Sequence, residues 1–242
     1  MRLALIVPIL DRAPTIEASL RALAPMRQRG HRVIVVDGGS RDDGLVRARP
    51  LADRVVLAPR GWAWQVNAGG RTPEGEAADA LVFLPESVGL PPEADRAIAR
   101  ALDNSPSPWG FFDLQLDGDG TTDGPTRAPG ITLPLRVAAA LANAGSRATG
   151  IGLAEQAIFV TRAAFVALEG FCGSEEPPDV GFCRRAQLLG APIVLHERSR
   201  VRTDEQRALA ILRRAARCEW WRLACALDLP WRPSRPPRWS PI

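Results

Sequence analysis

The sequence predicts an α/β protein, one domain built on a mostly parallel, Rossmann-like sheet with helices on both faces. Three observations predict this. Residues 1–102 alternate short apolar runs with helical stretches, the pattern of repeated strand–helix units. The first, second and fourth runs are hydrophobic throughout, as strands covered on both faces are. The chain has 242 residues, 46% of them apolar, enough for one sizeable core.

The elements follow in order. "LALIV" (3–7) reads as a buried first strand. Pro14 then opens a helix running towards Gly30. "RVIVVD" (32–37) is the second strand. Ser40 with Asp43 three residues on resembles a capping box, with Asp in place of Glu, and opens a short helix to about Arg49. "DRVVLA" (53–58) is the third strand, and residues 61–71 read as a helix weakened at its end by Gly69 and Gly70. "ALVFL" (80–84) is the fourth strand, and Pro91 and Pro92 suit the first turn of a helix through Leu102.

The second half is less regular. "WGFFDLQLDGDGTTDGP" (109–125) reads as a strand entering a Gly/Asp-rich turn. A calcium loop is the competing reading of that turn, but Ala128 stands where the twelfth-position glutamate belongs. Residues 133–145 read as a helix, 156–160 as a strand, 162–168 and 179–190 as helices, and 191–197 as a last strand. Residues 204–227 form a long amphipathic helix. The domain is expected over 1–228, with 229–242 a Pro/Arg/Trp-rich tail too proline-rich to be regular.

Composition excludes several classes. Net charge is +4 and every basic residue is arginine, which suits forked contacts to phosphate and is equally what a GC-rich genome encodes. The charge is too small, and basic runs interleaved with aromatics too few, to expect nucleic acid as a partner. No apolar run is long enough to span a membrane, and "MRLALIVPIL" reads as a strand, not a signal peptide, so a cytoplasmic protein is expected. The tryptophans of the C-terminal helix either pack on the domain or lie on a membrane face as a peripheral contact. Cys172, Cys183, Cys218 and Cys225 form no Cys-x-x-Cys pair and are expected to be reduced thiols. His196, at a strand end, is expected to be packed or hydrogen-bonded.

The loop after the first strand, "PILDRAP", has no glycine, so a dinucleotide fingerprint is absent, and without lysine there is no Walker motif. What remains is a set of polar groups at strand C-termini, where open α/β sheets bind ligands. Asp11 and Arg12 follow the first strand. Asp37 ends the second, before Gly38, Gly39 and Ser40. Arg60 follows the third and Glu86 the fourth. Asp37 can accept from a base N–H or cap its own turn, and Arg60 can face a diphosphate.

Several segments, in order, resemble family 2 glycosyltransferases, which have the GT-A fold. "IVVDGGSRDDG" is similar to "VVDGGSxDGT", "LIVPILDR" to "IIPxLNE", and "PRGWAWQVNAGG" to "PxGRxxQxNxGA". "LVFLPESVGLPPEA" resembles "LLFLHADTxLPPxA", and "WGFFDLQL" resembles "WGRFDVxL". "AEQAIFVTRAAFVALEGF" resembles "GDQxIFVRRxxFxxxGGF", and "PDVGFCRRAQLLG" resembles "EDxELxRRLxxxG". Each motif is short; the ordered set covers most of residues 1–200. The similarity includes the small bacterial subgroup labelled transferase 2 and associated with radical-SAM and selenodomain genes.

The resemblance implies inverting transfer from a nucleotide-diphosphate sugar, of which a UDP-sugar is the expected kind, to an acceptor the sequence does not name. Pro8 and Asp11 would line the nucleotide pocket, Asp37 and Gly38 would meet the base, and Arg60, Gln65 and Asn67 would lie along nucleotide and phosphates. Glu86, Ser87, Glu155, Gln156, Arg202 and Arg207 fall in the donor and diphosphate region. Asp179 matches the aspartate that serves as general base.

The departures concentrate at these positions. Ser87 stands where the family has its metal aspartate, with Glu86 just before it. Glu86 either reaches a Mg or Mn ion or is a solvated residue at the strand–loop junction. The family's "GDQ" has become Ala154-Glu155-Gln156, Trp62 and Trp64 stand at arginine positions, and Pro178 replaces the glutamate beside Asp179, which is then a base or a helix-start carboxylate. Arg202 and Arg207 remain where the family carries an adjacent arginine pair. Two explanations fit. One is a metal-independent transferase in which arginines neutralise the leaving diphosphate. The other is a GT-A-fold module that binds a nucleotide or a protein without transfer.

Overall fold

A computed structural model describes residues 1–118, 132–172 and 177–203. The strands are β1 (Leu3–Ile9), β2 (Arg32–Asp37), β3 (Arg54–Leu57), β4 (Ala80–Phe83), β5 (Val88–Gly89), β6 (Trp109–Gly118), β7 (Phe159–Thr161) and β8 (Ile193–Thr203). The helices are α1 (Ile16–Ala22), α2 (Ala24–Gln28), α3 (Gly44–Ala48), α4 (Trp62–Gly70), α5 (Pro73–Glu76), α6 (Ala94–Asp103), α7 (Thr132–Thr149), α8 (Arg162–Ala167) and α9 (Pro178–Gln187). Among the described residues the strands form one sheet in the order β3-β2-β1-β4-β7-β6-β8-β5. The expected single α/β domain with a mostly parallel sheet is what forms.

β1 pairs in parallel with β2 and β4, β2 with β3, and β6 with β8. β7 is antiparallel to β4 and β6, and β5 to β8. All strands except β5 and β7 therefore end on the same edge of the sheet. Burial explains the sequence pattern. β4 is buried along its whole length and β1 everywhere except at half-buried Pro8, whereas the edge strand β3 is only half covered.

The helix expected from Pro14 towards Gly30 is two helices. Pro25 has no N–H to continue an interior turn, so α1 ends at Ala22 and α2 restarts with Pro25 in its first turn. The Ser40–Asp43 capping box does not form either. Ser40 turns its hydroxyl to Asp37, α3 begins at Gly44 without a side-chain cap, and Asp42 takes the Gly44 N–H instead at 3.0 Å. Pro91 and Pro92 precede α6 and do not lie within it. Pro92 keeps Pro91 out of the helical region, and the Pro91 carbonyl accepts from Ala94 N–H at the helix entry.

β8 runs six residues beyond the expected strand end. Its alternation was legible: Ser199 and Val201 are buried, Arg198 and Arg200 exposed. The helix over 204–227, the 229–242 tail, Cys218, Cys225 and most of the Gly/Asp-rich turn lie outside the described residues. Cys172 is exposed, and the buried Cys183 thiol donates to the Gly152 carbonyl at 3.5 Å.

An aromatic cluster fastens the sheet to its helices. The Phe171 ring stacks on Phe182 of α9 at 4.2 Å and meets Phe83 of β4 and Trp62 of α4 edge-on at 4.7 and 4.8 Å. Such pairs contribute about 0.5–1.5 kcal/mol each beyond their burial. On the other side of α4, Gly69 lets the helix backbone approach β1. A Cβ there would stand 2.5 Å from Ile6 Cγ2.

Candidate functional site

The shared C-terminal edge gathers the loops after β1, β2, β3 and β4. Two of them are built as one unit. Asp37, at the end of β2, is 2% exposed and accepts from the N–H of Gly39 and Ser40 and from the Ser40 hydroxyl. The same Ser40 oxygen accepts from Asp11 N–H at 3.0 Å, and the Asp11 carboxylate accepts from Arg41 N–H at 2.7 Å. Asp42 adds a bond from Ala13 N–H at 2.8 Å. That bond foremost holds the Asp42 carboxyl below its usual range. Asp11 takes a left-handed φ of 52°, a strained conformation that this network holds in place.

Beneath this unit lies Gln65 of α4. Its amide donates to the carbonyls of Ile9 at 2.8 Å and Val36 at 2.9 Å, bracing the ends of β1 and β2. Gly38 passes directly over it; a Cβ there would come within 3.1 Å of the Gln65 amide. Gly39 follows at φ 90°, a conformation glycine adopts without strain. Asn67, two residues further along α4, clamps the Phe171 backbone: it donates to the carbonyl at 2.7 Å and accepts from the N–H at 2.9 Å. The structure thus places Gln65 and Asn67 as buried braces beneath the strand ends, where Asp37 and Gly38 are buried, Pro8 is half-buried and Asp11 is exposed. Arg60 is exposed in the loop after β3.

Glu86 is 7% exposed, so it is not a solvated junction residue. The loop after β4 folds back against α1, where Ser19 donates to Oε1 at 3.1 Å and the Arg12 guanidinium lies 3.7 Å from Oε2. Ser87 beside it is half-buried.

A 3₁₀ turn, Ala154–Gln156, lies before β7. Gln156 is fully buried and ties this turn to α7, its Oε1 accepting from the Ser146 hydroxyl at 2.7 Å and from Leu153 N–H at 2.9 Å. Asp179, in the first turn of α9, is fully buried and accepts from Ala154 N–H at 3.0 Å. The Glu155 carbonyl accepts from the Ser199 hydroxyl at 3.0 Å, so the turn also joins β8. The Arg202 backbone lies opposite Asp117 in the β6–β8 register, near the end of β8, and Arg207 lies outside the described residues.

Sequence reasoning missed the Arg12–Glu86 pair, the Ser199 link and a cluster of Asp113, Arg147 and His196. Only Ser199 left a signal, as the small polar residue on the buried phase of β8. The others depend on contacts between strands and helices far apart in the chain.

This architecture is the GT-A fold. No family model matches the chain, and no curated protein matches it. Solved structures of that fold do. One is the mannosyltransferase PcManGT from Pyrobaculum calidifontis in complex with GDP-Man and Mn²⁺, at TM-score 0.64 and 19% identity over 97% of this chain. The present chain spans 65% of that protein. A second is glucosyl-3-phosphoglycerate synthase from Mycobacterium tuberculosis with Mn²⁺, UDP and glucosyl-3-phosphoglycerate, at TM-score 0.58, 16% identity, 95% of this chain and 81% of that one. A third is S. aureus TarS 1-349, at TM-score 0.61, 16% identity, 96% of this chain and 76% of that one. Among the described residues no helix is long and apolar enough to cross a membrane.

Proposed function

We propose that this chain is an inverting glycosyltransferase that takes a sugar from a nucleotide-diphosphate sugar, a UDP-sugar being the first donor class to test. The observation that supports this best is the cradle at the strand ends. Two interlocked loops hold Asp11 and Asp37 beside a Gly-Gly backbone, with Arg60 exposed in the loop after the neighbouring strand β3, at the edge where open α/β sheets take nucleotides. The ordered motifs of the first 200 residues, together with structural neighbours crystallised with UDP or GDP-Man, agree with it.

In this reading the nucleotide lies along Pro8, Asp11, Asp37 and Gly38, and the diphosphate faces Arg60, Arg202 and Arg207. The acceptor oxygen attacks the anomeric carbon as the bond to the diphosphate breaks. The electron pair leaves on the phosphate oxygen, whose growing charge the guanidinium groups neutralise. The residues present do not fit a divalent ion. The Glu86 oxygens face Ser19 and Arg12, Ser87 brings no charge, and no metal-binding group of three His, Cys, Asp or Glu exists among the described residues. No step is therefore assigned to a metal.

One observation favours the second reading, a non-catalytic nucleotide- or protein-binding module. Asp179, the residue matched to the general base, is fully buried and bonded to the Ala154 backbone. A base has to reach the acceptor hydroxyl. The separating experiment is release of nucleoside diphosphate from a panel of UDP- and GDP-sugars, with Mn²⁺ or with EDTA. Release that persists in EDTA supports the metal-free transferase. Nucleotide binding without release supports the module.

A further inference from the structure

The geometry points to a carboxylate–imidazole dyad, Asp113–His196, as the proton acceptor for the incoming hydroxyl. This inference rests on the transferase reading. Asp113 lies on β6 and is 4% exposed. Its Oδ2 accepts from Arg147 Nη2 of α7 and lies 3.4 Å from His196 Nδ1. Its Oδ1 is buried and has no partner among the described residues. The His196 side chain is 79% exposed. The buried carboxylate therefore holds one imidazole nitrogen while the ring projects outward.

The backbone is built to do this. The β6–β8 register runs from Phe112↔Leu195 to Asp113↔Arg198, so His196 and Glu197 bulge out of the ladder. Bulges re-aim side chains and are over-represented beside active sites.

The dyad is also joined to the candidate site. The Ser199 hydroxyl bridges the carbonyls of Asp113, at 3.2 Å, and Glu155, at 3.0 Å. Glu155 belongs to the turn that binds Asp179. Leu81 and Trp109 both pair with Val160, so they are level across the sheet. Asp113 stands four residues beyond Trp109, about 13 Å further towards the ligand edge. Glu86 lies five residues beyond Leu81. Asp179 is sealed at this edge, whereas His196 is open.

Two tautomers compete. Nδ1–H can donate to Asp113 Oδ2, or bare Nδ1 can accept from Arg147 Nη2, also 3.4 Å away. Arg147 already donates to the carboxylate, and an N–H facing a carboxylate is charge-assisted, which favours the first. Nε2 then carries a lone pair. As the acceptor oxygen bonds to the anomeric carbon and the diphosphate departs with its electron pair, the hydroxyl proton passes to Nε2. The resulting imidazolium faces Asp113. His196 is the catalytic residue and Asp113 the positioning residue.

The chain has only two histidines, so ¹⁵N imidazole spectra of the full chain resolve both. His31 is an internal reference of the opposite kind: its Nδ1 accepts from Leu3 N–H and its Nε2 faces Asp95. The expected result is an Nδ1–H tautomer at His196, lost in Asp113→Asn while the His31 signal stays in place. A dominant Nε2–H form at His196 in the unaltered chain overturns the dyad.

The second arm measures nucleoside diphosphate release from UDP-glucose and GDP-mannose. His196→Gln is expected to lower kcat by about 100-fold or more with donor KM unchanged. Unchanged turnover overturns the proton-transfer role. If the unaltered chain releases nothing from any donor, the transferase reading fails and takes this role with it, whereas the tautomer still reports the dyad itself.

Discussion

Gln65 separates a brace from a ligand contact. Gln65→Met keeps the length and approximate volume of the side chain and deletes its amide donor. Two buried hydrogen bonds disappear, at 2.8 Å to Ile9 and 2.9 Å to Val36. Each contributes about 1 kcal/mol net, and a carbonyl left without its partner costs about 1 kcal/mol more. The Ile9 carbonyl keeps Gly38 N–H at 3.0 Å and the parallel β1–β2 register leaves the Val36 carbonyl a ladder donor, so the penalty for lost partners stays small. The expected loss is about 2–3 kcal/mol in the free protein. It is read as a lower urea midpoint at constant slope, with Tm falling by roughly 4–10 °C. Because Gly38 packs over this amide, nucleotide binding is expected to weaken as well. A midpoint within about 0.5 kcal/mol of the parent, combined with lost nucleotide binding, would refute the brace and make Gln65 a ligand contact alone.

Other expectations follow from single sites. Asp95 is held at a pKa of about 2: burial pushes it up, but hydrogen bonds from Arg29 and His31 outweigh that. Its stabilisation is complete above the ordinary aspartate value of 3.8 and is lost as pH falls through about 2, so acid unfolding should lose about 2 kcal/mol over that window, and Asp95→Asn should lack this part of the acid limb. Gly69→Ala puts a methyl 2.5 Å from Ile6 and is expected to lower stability by about 1–3 kcal/mol in urea melts; a neutral result would show that α4 can slide. Asn67→Ala leaves the Phe171 N–H and carbonyl unpartnered in the core and is expected to cost about 2–4 kcal/mol, with altered fluorescence from Trp62 beside Phe171; an unchanged spectrum and midpoint would contradict the clamp.

The parallel half of the fold was legible because its strands are covered on both faces and their composition says so. β1, β2 and β4 are apolar runs with boundaries set by Gly and Asp. The break at Pro25 was also written in the chain, since a proline in the interior of a helix ends it and can open the next. β5, of two residues, carries no pattern of its own and exists only by pairing with β8.

The rim of the site was legible as polar residues at strand ends, but their orientations were not. Nothing local says that Glu86 turns back to Ser19 and Arg12, or that Ser40 serves Asp37 and Asp11 in place of a helix. Those choices depend on which loops meet, and the meeting is set by sheet order. The Asp113–His196 contact spans 83 residues and requires a bulge that no turn residue announces.

Hydrogen–deuterium exchange of the full chain, with and without saturating UDP or GDP, tests the central claim most directly. Nucleotide binding at the strand ends predicts slowed exchange in the loops over residues 9–13, 37–42 and 58–62, with the opposite edge of the sheet unchanged. Saturating nucleotide that protects none of these loops, or protects a different face, would contradict it.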